Sequence, residues 1–289
     1  VKSIRVHGTD IRYVERGTGL PLLFVHGFPL DHTMWMGQLD GLAKQPSEFL
    51  LGEAYLHAKE NSNASIPPIR MIAPDLRGFG HSAWKNGDDK VTMEQFADDL
   101  AGLLDGLNIE EPVVLCGLSM GGYIAFQFWR RHAARLGGLI LCDTRAAADA
   151  PEAITARLEL ADRVLREGPE PLIDNMLPKL FAESTRRRQP QLIEGLRSVI
   201  MANDPRGIAA AARGMAARPD MTASLSEISC PTLVLVGQSD VISPPSGMRA
   251  IAESIPNATF AEISAAGHMA PLENPTEVNA AIVSFLATV

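Results

Sequence analysis

The feature that most constrains this chain is a series of short, almost continuous apolar runs. They are "PLLFVHG" (21–27), "IRMIAPD" (69–75), "PVVLCGLS" (112–119), "GGLILCDT" (137–144) and "PTLVLVG" (231–237). Each is rich in Val, Ile and Leu and stops at a small or polar residue. Strands that are apolar on both sides belong in a parallel sheet covered by helices on both faces. Ile4–His7 and Arg12–Arg16 read as an opening hairpin, and "ATFAEIS" (258–264) as a weaker last strand. Helical segments alternate with these runs: "TMEQFADDLAGLLDGL" from Thr92, "MGGYIAFQFWRRHA" after Ser119, and "TEVNAAIVSFLAT" near the end. Thr92 is placed as an N-cap, with Gln95 three residues on completing a capping box. The alternation predicts an α/β fold with a mostly parallel central sheet and helices on both faces.

Two stretches break the rhythm. Residues 145–224 carry helical periodicity without a convincing strand, between the sixth and seventh strand-like runs. They are expected to form a helical cap, leaving 1–144 and 225–289 as the core. Residues 44–70 read as a short amphipathic helix followed by a turn-rich loop at Asn61–Pro68, with no role assigned.

Bulk properties exclude several function classes. The 289 residues are 46% hydrophobic, enough to bury a sizeable core, and the formal net charge is -8. A nucleic acid or an anionic membrane favours a basic partner, so neither is expected. No apolar run reaches the ~20 residues that span a bilayer. No charged-then-apolar leader opens the chain, and Cys116, Cys142 and Cys230 read as reduced structural thiols, so a cytoplasmic location is expected. The histidines lack metal-site spacing, so neither a metal nor another cofactor is expected. Oligomeric state is not readable.

The chemistry points to one serine. In Gly117-Leu118-Ser119-Met120-Gly121 a hydroxyl stands at the end of a central strand, immediately before a helix. Parallel sheets bind ligands at that edge. Small neighbours two residues either side permit a sharp turn that lifts the hydroxyl into a cleft, with the Met120 N–H aimed at the same place. A helix-capping serine would need neither glycine, nor Gly122 after them. A serine hydroxyl needs a base, and the base needs an orienting acid. Asp240 in "GQSD" follows a strand, and His268 stands in "AAGHMAP" after the last one. A second oxyanion donor is expected beside Met120, in His26-Gly27-Phe28-Pro29. Phe28 N–H is the candidate there, because Pro29 has none. His26 is read as a brace for this loop.

These motifs together resemble the α/β-hydrolase superfamily, in its branch of bacterial carboxylesterases, cofactor-free haloperoxidase-type perhydrolases and 3-oxoadipate enol-lactonases. The likeness rests on "HGFPLDHTMW" (26–35), "PDLRGFGHS" (74–82), "GLSMGG" (117–122), "GQSD" (237–240) and "GHMAPLENP" (267–275), in order across the chain. It implies Ser119, Asp240 and His268 as a triad, and Phe28 and Met120 as oxyanion donors. Haloalkane dehalogenases and epoxide hydrolases of this fold use an aspartate where Ser119 stands. Some relatives place the acid after the preceding strand, which makes Asp143 the rival to Asp240. Asp75 and Arg77 are read as a structural ion pair.

The substrate pocket is expected to be walled by Phe28, Trp35, Met120, Met269 and the cap residues Met176 and Leu177. Such walls favour a small apolar ester. An enol-lactonase would place a cation inside the pocket, whereas the cap arginines of "STRRRQP" (184–190) read as a solvated face. A carboxylesterase is the leading expectation, with a lactonase second and perhydrolysis as a side activity. A binding-only receptor of this fold usually lacks a triad member, and none is missing here.

Overall fold

The computed structural model describes residues 1–43, 67–82, 84 and 88–289. The amphipathic segment and most of the loop expected within 44–70 lie outside the described residues. The chain opens with the antiparallel pair β1 (Lys2–Val6) and β2 (Thr9–Gly17), joined at Val6↔Thr9. His7 and Gly8 both take positive φ there, the backbone that a two-residue hairpin turn requires. β3 (Leu20–Val25), β4 (Ile69–Pro74), β5 (Val113–Leu118), β6 (Leu136–Cys142), β7 (Thr232–Gly237) and β8 (Ala258–Ile263) complete one eight-stranded sheet.

The strand order is β1-β2-β4-β3-β5-β6-β7-β8. β2 meets β4 antiparallel, and every pairing from β4 to β8 is parallel. Every residue of β5 and β7 is buried, as the unbroken apolar runs require of strands with helices on both faces. β8 at the far edge is mostly half-exposed, which accounts for its weaker sequence signal.

The helix Met93–Gly106 packs against Met120–His132, and Met36–Ala43 against Pro275–Leu286. Thr92 caps the first of these with both capping-box bonds, Gln95 N–H to Thr92 Oγ1 at 3.2 Å and Thr92 N–H to Gln95 Oε1 at 2.8 Å.

Between β6 and β7 the chain forms the helices Pro151–Glu167, Glu170–Leu180, Glu183–Arg188, Pro190–Ala202 and Pro205–Ala216. This insertion touches the loops that leave the carboxyl ends of β3, β4 and β8. Asn203 donates to Pro29 O (2.8 Å), Gly207 lies against Gly78, and Leu180 O accepts from Met269 N–H (3.1 Å). Its two stems are clamped together by a buried ion pair, Arg218 to Asp149 at 2.6 and 2.9 Å. The Arg218 guanidinium also lies 4.1 Å from the Tyr123 ring centre, on the helix that follows Ser119. Arg186, Arg187 and Arg188 are exposed, as their clustering predicts.

Among the described residues no helix is long and apolar enough to cross a membrane.

Candidate active site

Ser119 sits at the turn between β5 and its helix with φ 54° and ψ −108°. A non-glycine residue held there carries about 1–3 kcal/mol of backbone strain, which the surroundings must impose. The flanking glycines impose it by close approach. A Cβ on Gly117 would stand 2.3 Å from Gly121 O, and one on Gly121 would stand 2.3 Å from Val25 O. The third glycine is explained by a neighbour: a Cβ on Gly122 would lie 2.3 Å from Thr144 Oγ1. Thr144 in turn donates to Ser119 O at 2.7 Å, pinning the turn. Ser119 occupies the N-cap position of its helix, yet its side chain makes no capping hydrogen bond. The hydroxyl is left for something other than the helix.

His268 and Asp240 meet at the same carboxyl edge of the sheet. Asp240 follows β7 and His268 follows β8, and His268 Nδ1 lies 2.8 Å from Asp240 Oδ2. Both side chains are almost entirely buried. The other Asp240 oxygen accepts the N–H groups of Ile242 (2.7 Å) and Ser243 (3.0 Å), so the carboxylate is fixed in orientation. Among the described residues no hydrogen bond joins the Ser119 hydroxyl to His268.

The loop after β3 reaches the serine from the other side. Gly27 packs so closely that an added Cβ would meet Leu118 Cδ2 at 2.7 Å and Ser119 Cβ at 3.6 Å. A turn closed by Leu30 N–H to Gly27 O (2.9 Å) carries Phe28 and Pro29. Among the described residues the N–H groups of Phe28 and Met120 donate to no partner. His26 is fully buried and braces this loop, as expected. Its Nε2 accepts Leu76 N–H at 3.0 Å, which leaves Nδ1 to donate to Gly27 O at 3.0 Å. Burial holds its pKa below the ordinary value, against the pull of that bond and of Asp75.

The remaining expected residues fall as follows. Trp35 is fully buried, with its ring centre 4.9 Å from that of Phe24 in β3. Phe28 meets Phe79 edge-on at 6.3 Å. Met269 is buried beside His268, and Met176 and Leu177 are half-buried on the helix Glu170–Leu180.

One expectation is corrected: Asp75 and Arg77 do not pair with each other. Arg77 forms a two-pronged bridge to Asp99 at 2.8 and 2.6 Å. Asp75 instead bonds the His32 ring (2.6 Å) and accepts the N–H groups of His32 (2.9 Å) and His81 (2.8 Å). The reason is the backbone. Gly78 and Gly80 take positive φ and curl the loop back over Asp75, while Arg77 is left facing the helix Met93–Gly106. Burial disfavours a charge on Asp75, but the His32 bonds outweigh it and hold the carboxyl below its usual range.

Two bracing residues escaped the sequence reading. Asn203 joins the loop after β3 to the loop after β4, donating to Pro29 O and accepting Gly80 N–H at 2.6 Å. Glu273, buried in "GHMAPLENP", accepts Gly267 N–H, Ala182 N–H and the Thr185 hydroxyl. A carboxylate five residues past His268 in an apolar setting was the available signal for the second. Nothing in the sequence marks the first.

A mostly parallel eight-stranded sheet, with a serine turn after β5 and a His–Asp pair after β8 and β7, defines an α/β-hydrolase. A family model described as the alpha/beta hydrolase fold matches residues 21–275, and the chain belongs to that family. It is 30% identical over 285 residues to AB hydrolase superfamily protein YisY of Bacillus subtilis (strain 168), covering 93% of this chain and 92% of the other. Among solved structures it is similar to a thermophilic esterase from Thermogutta terrifontis, with 46% identity, TM-score 0.87, and 98% and 97% of the two chains covered. It is also similar to the enol-lactonase from Burkholderia xenovorans LB400, with 28% identity, TM-score 0.83 and 99% of each chain covered.

Proposed function

We propose that the protein is a serine carboxylic ester hydrolase working through an acyl-enzyme. The observation that carries this reading is the fixed His268–Asp240 pair on the sheet edge that bears the strained, uncapped Ser119. The 46% identity to an esterase supports the ester as substrate.

In this reading Ser119 Oγ attacks the ester carbonyl carbon while His268 Nε2 takes its proton. Asp240 holds the imidazole by its Nδ1–H and balances the imidazolium charge. The negative oxygen of the tetrahedral intermediate is held by the N–H groups of Phe28 and Met120, which are free to receive it. His268 then returns the proton to the departing alcohol. A water, deprotonated by the same imidazole, releases the acid and restores Ser119.

The helical insertion 145–224 acts as the cap, and Met176, Leu177, Met269 and Phe28 set acyl size. A lactonase is the second reading, favoured by the likeness to the Burkholderia enol-lactonase. Weighing against it, the cap cations Arg186–Arg188 are exposed, and Arg157 and Arg218 are both engaged by Asp149. A fluorophosphonate probe followed by a panel of p-nitrophenyl esters and enol-lactones tests the proposal. Labelling at Ser119 with ester turnover is expected; labelling with lactone turnover alone would select the second reading. A chain that neither labels nor turns over would overturn both.

A further inference from the structure

Two carboxyl groups, not one, stand behind His268. Asp143 follows β6 with φ 46°, a left-handed turn that swings its side chain from the end of β6 toward β7. Its Oδ1 accepts Gly237 N–H at 2.8 Å. Its Oδ2 is buried and has no hydrogen-bond partner. Asp143, Asp240 and His268 each bring one polar atom into a cluster whose members lie within 4.8 Å of one another. Asp143 is 0% exposed and Asp240 3% exposed, so water does not screen the two acids. The other titratable group facing Asp143 is the thiol of Cys142, itself beside Cys116 at 3.8 Å. Cys116 and burial raise the pKa of that thiol, so it is uncharged; the negative charge next to Asp143 is Asp240, and the one imidazole in the cluster is already bonded to Asp240.

Two anions cannot share such a space without a compensating cation, so one of them keeps its proton. Asp240 accepts two backbone N–H groups and the His268 ring, whereas Asp143 accepts a single N–H. Burial and the neighbouring Asp240 charge push the Asp143 carboxyl well above the usual range. The orphaned Oδ2 is then explained, because a protonated oxygen is a donor and Asp240 is the acceptor beside it.

We propose that Asp143 is a neutral positioning residue, donating a hydrogen bond from Oδ2 to the Asp240 carboxylate and thereby fixing the acid that orients His268. The proposal rests on the triad reading for its effect on rate, but not for the protonation state of Asp143. The proton stays on Asp143 throughout the catalytic cycle, and no proton moves between the two acids.

The test compares the wild-type protein with Asp143→Asn, whose amide is neutral and can donate as the acid does, and with Asp143→Leu, which cannot donate. The first readout is the urea midpoint as a function of pH, which needs no catalysis. A group that is neutral in the fold but ionised in the unfolded chain loses stability as pH rises above the ordinary carboxylate range. Asp143→Asn should therefore gain on wild type steadily from pH 4 to pH 8. A gap that stays constant over that range would overturn the proposal.

The second readout is the pH profile of kcat/KM on p-nitrophenyl butyrate. Exchange of neutral for neutral leaves the acid limb of Asp143→Asn in place, with kcat within about threefold of wild type. Asp143→Leu should lower kcat about 10- to 100-fold with KM little changed, the scale of one hydrogen bond lost to a charged acceptor. An acid limb moved to lower pH in Asp143→Asn would show that a negative charge had been removed, and would overturn the proposal. So would loss of activity in Asp143→Asn with retention in Asp240→Asn, which would make Asp143 the triad acid. Ser119→Ala with unchanged turnover would refute the triad reading while leaving the urea comparison standing. If Asp143→Leu does not fold, the Asn comparison alone decides.

Discussion

Replacing Glu273 by leucine tests whether the helical insertion and the loop that carries His268 are one mechanical unit. The Glu273 carboxylate takes Gly267 N–H at 2.7 Å on one oxygen, and Ala182 N–H at 2.8 Å and the Thr185 hydroxyl at 2.6 Å on the other. Leucine fills the space but accepts nothing. The Thr185 hydroxyl can rotate to another acceptor; the two backbone N–H groups cannot. Each buried donor left unpaired costs about 1–3 kcal/mol, so roughly 2–6 kcal/mol is expected for the pair. Against a total stability of about 5–15 kcal/mol that is a large fraction. Thermal unfolding should fall by roughly 4–24 °C, given about 2–4 °C per kcal/mol in a chain of this order of size. Glu273→Gln keeps one acceptor oxygen and should lose about half as much.

Activity should fall with it, because Gly267 is the residue before His268, and Met269 on the other side is also bonded to the insertion through Leu180 O. Circular dichroism melts, urea titrations and kcat/KM on p-nitrophenyl butyrate, all well below the melting point, make the measurement. A Glu273→Leu protein within about 0.5 kcal/mol of wild type, the scatter of ordinary surface changes, would refute the reasoning. Lost stability with unchanged kcat would show that the bonds hold the fold but do not place His268.

Four further outcomes are expected. Ser119→Ala should abolish ester hydrolysis and fluorophosphonate labelling with an unchanged melting curve, and Asp240→Asn should cost on the order of 10⁴ in kcat, read by stopped assays on the same ester. Phe28→Pro removes one free N–H beside Ser119 and should cost roughly 10²–10³ in kcat, with retained binding of a product acid as the check that the loop survives. His32→Gln should destabilise most at acid pH. Burial opposes charge on His32, but its bond to Asp75 raises its pKa above the ordinary 6.5. The pair's contribution is therefore fully present below about pH 6.5 and is lost as pH rises through the raised value. Urea midpoints measured from pH 5 to 9 should show the gap to wild type narrowing toward alkaline pH; a gap that widened would contradict the assignment.

How much of this was legible in the sequence depends on the range over which each residue acts. The buried strands announced themselves because a parallel strand must be apolar on both faces, and that constraint is written into consecutive residues. The Ser119 turn was legible for the same reason: its steric demands fall on Gly117 and Gly121, two positions away on either side. The pairing of Asp240 with His268 was legible because each follows a recognisable strand, and β7 pairs directly with β8.

The misreading came where the partner of a charge is decided by a turn rather than by proximity in the chain. Asp75 and Arg77 are two residues apart, yet Gly80 folds the loop so tightly that a Cβ there would touch the Asp75 carboxyl at 2.5 Å. The acid is surrounded by the His32 and His81 amides before Arg77 can reach it. The braces on the site act over longer range still. Asn203 meets Pro29 across 174 residues, and Glu273 meets Ala182 across 91. Neither partner carries a local signature, since a side-chain amide or a carboxylate can bond any backbone group brought to it. What the sequence left unread is therefore of one kind. The strand ends place the chemical groups, and long-range bonds between the insertion and buried backbone donors and acceptors hold the loops between them in register. Asn203→Ala or Ala182→Pro, each of which removes one of these bonds, should accordingly be felt at Phe28 or His268.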